Sequence, residues 1–102
     1  MIKEINDSTF ENETSTGVVL VDFWAPWCGP CKMQNPVNET LSNELTNAKF
    51  TAINVDQNPD VTAQYGIQAI PTMLIKQNGE VVERLVGYTP KAQLQSIISK
   101  YL

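Results

Sequence analysis

The sequence predicts one α/β domain over residues 1–102, with a central mixed sheet of about five strands and helices on both faces. A chain of 102 residues that is 42% apolar can form one compact core but not two. An almost unbroken β-branched and aromatic run at 18–24 indicates a central strand covered on both faces. An Asn78-Gly79 pair between two later β-rich runs indicates an antiparallel hairpin, so the sheet is expected to be mixed.

The first half of the chain predicts strand, helix, strand and helix in that order. Residues 2–5 predict an edge strand, and Asp7 or Ser8 is expected to cap a short first helix. The strand at 18–24 then leads into a longer helix. Its predicted apolar face recurs every fourth residue, at Met33, Val37, Leu41 and Leu45.

The second half predicts the remaining strands. Residues 50–56 form another β-rich run, and Asn58-Pro59 predicts an N-cap followed by proline at the first position of a short helix. Residues 72–76 and 81–86 are the two strands of the hairpin. A final amphipathic helix carries its apolar residues at Leu94, Ile97, Ile98 and Leu102.

Charge and hydropathy exclude several classes of partner. With 7 basic and 11 acidic residues, the net charge of −4 provides no electrostatic footprint for nucleic acid or anionic lipid. No segment approaches the roughly 18 apolar residues of a membrane helix, and 1–4 lack the apolar stretch of a secretory signal. We therefore expect a cytoplasmic protein that binds neither nucleic acid nor membrane. We also expect a monomer.

The chain has two cysteines, Cys28 and Cys31, and no histidine. In a reducing compartment, a close cysteine pair indicates catalysis or metal binding more than a structural disulfide. Structural zinc takes four Cys or His ligands, so one chain cannot complete such a site, although a site shared between two chains stays open. We expect neither a metal nor a bound cofactor.

The cysteines lie where the strand at 18–24 meets the helix, a position that suits thiol chemistry. Unpaired N–H groups and the helix dipole would stabilise a thiolate at Cys28, while Cys31, further into the helix, is expected to be more buried. Cys28 is therefore the predicted nucleophile and Cys31 the resolving thiol. Between them, Pro30 fixes one backbone dihedral and contributes no N–H donor, while Gly29 keeps the approach open to a partner chain.

These motifs resemble those of the thioredoxin family. The run VDFWAPWCGPCK at 21–32 is similar to the family's motif at almost every position. The likeness continues in order and spacing through NVDQNP at 54–59, YGI at 65–67, IPT at 70–72, NGE at 78–80 and VG at 86–87. The resemblance covers essentially the whole chain and implies the thioredoxin fold.

The resemblance also implies an activity and partners. The chain is expected to be a dithiol-disulfide oxidoreductase that reduces protein disulfides through a mixed disulfide and serves in electron transport and cell redox homeostasis. A flavin-containing thioredoxin reductase would re-reduce it, so NADPH and flavin act only through that enzyme. Implied substrates include ribonucleotide reductase, peroxiredoxins and methionine sulfoxide reductases.

Asp22 is the only charged residue in the predicted central strand, and two interpretations stay open. It is either an exposed strand-end residue or a buried carboxylate whose pKa is raised by desolvation, suited to take a proton from Cys31. The resemblance implies the second. At Ala52 the family commonly has a lysine near this aspartate, so we hypothesise that Asp22 titrates higher here and that the pH profile of turnover shifts upward.

Ile70-Pro71 resembles the family's cis-proline loop, which implies that the backbone of residue 70 pairs with an extended substrate. With Trp27, Val86 and Gly87, this loop would form a shallow apolar groove for β-like peptide docking. For Trp27 and Val86, simple core packing is the alternative.

Three polar residues depart from the family pattern, since relatives are often apolar at Gln34, Asn35 and Asn38. These polar side chains bear on how tightly the helix that follows Cys28 packs.

Two rival functions also stay open: a non-catalytic interaction module, and a thiol oxidant or isomerase. Histidine between the cysteines and secretion usually mark the latter, so Pro30 and the missing signal favour a reductant.

Overall fold

A computed structural model describes all residues from 1 to 102. Its five strands are β1 (Ile2–Glu4), β2 (Val18–Trp24), β3 (Ala48–Asn54), β4 (Thr72–Gln77) and β5 (Glu80–Val86). Its helices are α1 (Phe10–Thr14), α2 (Gly29–Glu44), α3 (Pro59–Gln64) and α4 (Lys91–Ser99). The strand order is β1-β3-β2-β4-β5, which confirms the predicted mixed sheet. None of the four helices is long and apolar enough to cross a bilayer.

The apolar run of β2 lies in the middle of this sheet. It pairs in parallel with β3 and antiparallel with β4, while β1 lies at the edge beside β3. The register aligns Asp22 with Ala52 on one side and with Met73 on the other. Helices can therefore cover β2 from both faces, as its composition predicts.

Each face of the sheet has its own apolar core, because successive side chains of a strand point to opposite sides. On the face covered by α1 and α3, the core contains Ile5, Phe10, Val19, Val21, Phe23, Ile53, Val61 and Leu74. On the face covered by α2 and α4, it contains Leu20, Leu41, Phe50, Met73, Ile75, Leu94 and Ile98.

The predicted apolar face of α2 is wrong at its first position. Met33 is 59% exposed and Val37 and Leu45 are only half-buried, whereas Leu41 is fully buried. The helical period of 3.6 residues turns a different set toward the sheet: Cys31, Gln34, Asn38, Leu41 and Ser42. Polar side chains therefore occupy part of the interface between α2 and the sheet.

The predicted helix caps are also partly wrong. Pro59 does begin α3, but the Asn58 side chain makes no capping bond. The Asp7 carboxylate, expected at α1, instead accepts N–H groups of α3, from Asp60 at 3.2 Å and Val61 at 2.9 Å. Asp7 thus satisfies the unpaired N–H groups at the start of α3 from a distant part of the chain. The N-cap residue of α1 is Thr9.

Candidate redox site

The two cysteines lie at the junction of β2 and α2. Cys28 is the N-cap residue of α2 and has an extended backbone, and its Sγ accepts the N–H of Cys31 at 3.2 Å. An oxygen of Ser, Thr, Asp or Asn usually takes this bond at a helix start, so sulfur here takes the place of the capping oxygen. The two residues form a disulfide, with Cα atoms 5.3 Å apart.

The expected difference in burial between the cysteines is wrong for the oxidised form, in which each is 4% exposed. Both cysteines are buried because they pack with Ala25 in a small apolar cluster. Cys28 Sγ lies 3.7 Å from the carbonyl oxygen of Ile70. The loop before β4 therefore lies directly against the disulfide.

The loops around the disulfide bring together residues that are distant in sequence. The Ile70–Pro71 peptide bond is cis, and the Gly87 N–H donates to the Pro71 carbonyl at 2.7 Å. Trp27 and Val86 are 69% and 62% exposed, so core packing is the wrong interpretation for both. Trp27 Nε1 donates to the Asp56 carboxylate at 2.8 Å, which orients the indole beside the cysteines.

Asp22 is buried at 4% exposure, so the strand-end alternative is wrong. Burial, and secondarily the negative charge of Glu4, raises the pKa of Asp22 to about 7. Oδ1 has no hydrogen-bond partner, and Oδ2 accepts a long bond of 3.4 Å from Asn38 Nδ2. Asp22 and Cys31 line the same cavity, so the carboxyl is a titratable group near neutral pH close to the inner cysteine.

A buried polar chain from α2, not anticipated as part of the site, leads away from Asp22. Asn38 Oδ1 accepts from Gln34 Nε2 at 3.0 Å, and Gln34 also pairs with both backbone polar atoms of Thr89, two residues after Gly87. Gln34 and Asn38 are one helical turn apart, and this spacing of two amides is the signal that could have indicated a buried pair.

The disulfide is the reactive group that the described residues provide. The chain contains no cluster of three or more His, Cys, Asp or Glu side chains arranged to hold a metal ion. Thiol–disulfide exchange needs only the two sulfurs, an accessible partner disulfide and a group that accepts a proton. The arrangement can therefore carry two electrons as a dithiol or as a disulfide.

Comparison with known proteins agrees with this chemistry. The Thioredoxin family model matches residues 1–100. Thioredoxin of Listeria monocytogenes is 52% identical over the whole of both chains, and that of Bacillus subtilis is 50% identical over 99% of this chain and 98% of its own. The crystal structure of a Malassezia sympodialis thioredoxin superimposes with a TM-score of 0.90 at 33% identity, covering 99% of this chain and 90% of that one.

The disulfide at the start of α2, in a chain that the thioredoxin family model matches over residues 1–100, identifies the class as a dithiol-disulfide oxidoreductase. Within that class, the full-length matches are specific. The chain belongs to the thioredoxin family, and it is a protein-disulfide reductase.

Proposed function

We propose that Cys28 attacks and Cys31 resolves. The Cys28 thiolate attacks one sulfur of a protein disulfide, which breaks that bond, forms a mixed disulfide and releases the first substrate thiolate. Cys31 then loses its proton, and its thiolate attacks Cys28 Sγ and releases the second substrate thiolate. Two electrons pass to the substrate, and the chain is left with the Cys28–Cys31 disulfide.

The position of Cys28 at the start of α2 is the observation that carries this proposal. Its sulfur accepts the N–H of Cys31 and lies at the positive end of a 16-residue helix, and both effects stabilise a thiolate. Cys28 also follows directly on the exposed Trp27. Gly29 and Pro30 complete the active-site loop, in which Pro30 leaves no N–H to compete for the sulfur.

Asp22 is the proposed base for resolution. Its raised pKa of about 7 keeps the carboxyl near half ionisation at neutral pH, where a general base is most effective. The cavity that it shares with Cys31 provides the path for the proton.

The proposed docking groove consists of Trp27, Ile70, Pro71, Val86 and Gly87. The exposure of Trp27 and Val86 supports a role in contact with a partner, as does the bond between Gly87 and Pro71 that joins the two loops. An extended segment of the substrate would pair with the backbone of Ile70 beside Cys28.

The proposed partners follow from this groove and from the family. Thioredoxin reductase would return electrons from NADPH through its flavin. The protein substrates would include ribonucleotide reductase, peroxiredoxins and methionine sulfoxide reductases. The chain would act as a cytoplasmic monomer in cell redox homeostasis and need no cofactor of its own.

The test is NADPH-coupled reduction of a protein disulfide with thioredoxin reductase, comparing the wild type with Cys28→Ser and Cys31→Ser. We expect turnover by the wild type only. Cys31→Ser alone should accumulate mixed disulfides, because Cys28 can still attack but nothing releases the product. Cys28→Ser should accumulate none.

Three outcomes would contradict the proposal. Trapping by Cys28→Ser instead of Cys31→Ser would reverse the two roles. Absence of turnover by the wild type with every reductase tried would favour the interaction-module alternative, as would full activity of the double Cys→Ser variant.

A further inference from the structure

A cavity of about 480 Å³ opens between α2 and the β1 side of the sheet. The disulfide exchange proposed above uses only its inner end, at Asp22 and Cys31. The rest of the lining mixes charged, polar and apolar residues and includes Glu4, Trp24, Lys32, Asn35, Glu39 and Ala52. The cavity therefore has room for a ligand that the exchange reaction does not require.

The strand register explains why the cavity is open at this point. Ala52 of β3 is aligned with Glu4 of β1 on one side and with Asp22 of β2 on the other. Aligned residues of neighbouring strands point to the same face, and strands lie about 4.8 Å apart. Two carboxylates therefore flank one methyl group, and the space above Ala52 is in reach of both.

Asp22 provides an unsatisfied acceptor in this space. It is 4% exposed, and Oδ1 has no hydrogen-bond partner in the protein. A buried carboxylate oxygen without a donor costs free energy that a charged N–H donor would recover. Glu4 is partly satisfied, since both of its oxygens accept from Trp24 Nε1, at 2.9 and 3.3 Å.

The charges around Asp22 are mainly negative. Glu4 faces the cavity from β1, and Lys32 and Glu39 face it from α2. On the strands that flank Asp22, Ala52 and Met73 add no charge. Glu39 pairs with the amino group of Met1 at 3.5 Å, and Lys32 forms no ion pair.

We propose that this cavity binds a primary ammonium group, carried by a small alkylamine, between the carboxylates of Asp22 and Glu4. An ammonium has three N–H donors and no acceptor, which matches two carboxylates and an unpaired Oδ1. The alkyl carbons would contact Trp24 and the methyl group of Ala52. Bound there, the cation favours the ionised form of Asp22.

The consequence for turnover depends on the proposed role of Asp22 as a base, but the binding does not. The test is therefore made on the oxidised protein without any reductant or thiol, so that no disulfide exchange takes place. The probe is n-butylammonium chloride, added at constant ionic strength and mildly alkaline pH. NMR follows the side-chain carboxyl carbon of Asp22 and the amide of Ala52.

We expect saturable shifts of both signals and a fall of about one unit in the pKa of Asp22. Ala52→Lys should abolish the saturable shift, because its own ammonium fills the space. Ala52→Met should abolish it by filling the space without a charge. Tetramethylammonium, which has a charge but no N–H, should give no saturable shift in the wild type.

A second arm distinguishes a free amine from a lysine side chain. Saturation by n-butylammonium alone supports a free amine, and saturation also by Nα-acetyl-lysine methylamide extends the site to lysine side chains. Shifts that rise linearly, that persist in both Ala52 variants, or that tetramethylammonium reproduces would overturn the proposal. Binding measured without turnover keeps this result separate from any failure of the redox assay.

Discussion

Gln34 of α2 pairs with the backbone of Thr89 through both polar atoms of its side-chain amide. Oε1 accepts the Thr89 N–H at 2.7 Å, and Nε2 donates to the Thr89 carbonyl at 3.0 Å. Both residues are buried. The segment between β5 and α4, which begins at Gly87, is thus fixed to the helix that carries the cysteines.

Removing this pair should destabilise the protein although the replacement is apolar. Gln34→Leu leaves a buried N–H and a buried carbonyl of Thr89 without partners, which outweighs the gain from a buried leucine. We expect a loss of about 2 kcal/mol in the free energy of unfolding, measured with urea, and faster hydrogen exchange at the Thr89 amide. Met33→Leu, on the exposed face of α2, is the control and should change stability by less than about 0.5 kcal/mol. If Gln34→Leu leaves the free energy of unfolding unchanged, the two hydrogen bonds between Gln34 and Thr89 make no net contribution to stability.

The buried carboxyl of Asp22 should make stability depend on pH. Its pKa is raised from 3.8 to about 7, so the folded protein holds this proton more tightly than the unfolded chain. The resulting stabilisation is complete below pH 3.8 and is lost as pH rises through 7, by at most about 4 kcal/mol. Asp22→Asn should remove this part of the slope and be the more stable protein at about pH 8. Urea unfolding of both oxidised proteins across this range measures the difference, and parallel slopes would contradict it.

Gly87 should resist substitution for reasons of backbone conformation alone. Its φ is +90°, in a region that L side chains rarely adopt, whereas no heavy atom lies within 4 Å of a Cβ added at either Gly87 or Gly29. We expect Gly87→Ala to lower the free energy of unfolding by about 1–2 kcal/mol and Gly29→Ala, in the first turn of α2, to leave it unchanged or slightly raised. Thermal or urea unfolding distinguishes the two, and equal effects would refute the backbone explanation.

Ala52→Lys should move the pH dependence of turnover. An ammonium aligned with Asp22 favours the carboxylate, so the pKa of Asp22 should fall by about one unit or more and the profile should shift to lower pH. Ala52→Met is the matched control for side-chain volume and should cause no such downward shift. The measurement is the pH profile of reductase-coupled disulfide reduction. An unmoved profile in Ala52→Lys would contradict the hypothesis that the missing lysine raises the pKa of Asp22.

Local patterns predicted the architecture well because they record which side chains can be buried and where the backbone turns. The run at 18–24 is apolar except for Asp22, and it forms the middle strand of the five-stranded sheet. The Asn78-Gly79 turn joins two antiparallel strands because both residues have positive φ. The helix caps were predicted less well. Asp7 caps α3 and not α1, and that contact joins distant parts of the chain.

The sequence by itself determined the order of strands and helices, the position of Cys28 and Cys31 at a strand-to-helix junction, and the resemblance to one family. Only the tertiary structure decided how the surroundings of the cysteines are built. It buried Gln34 and Asn38, left Met33 exposed, and aligned Ala52 between two carboxylates. The physical reason is that a polar side chain is buried where another segment provides its hydrogen-bond partner. The spacing of residues in the sequence does not show which distant segments come into contact.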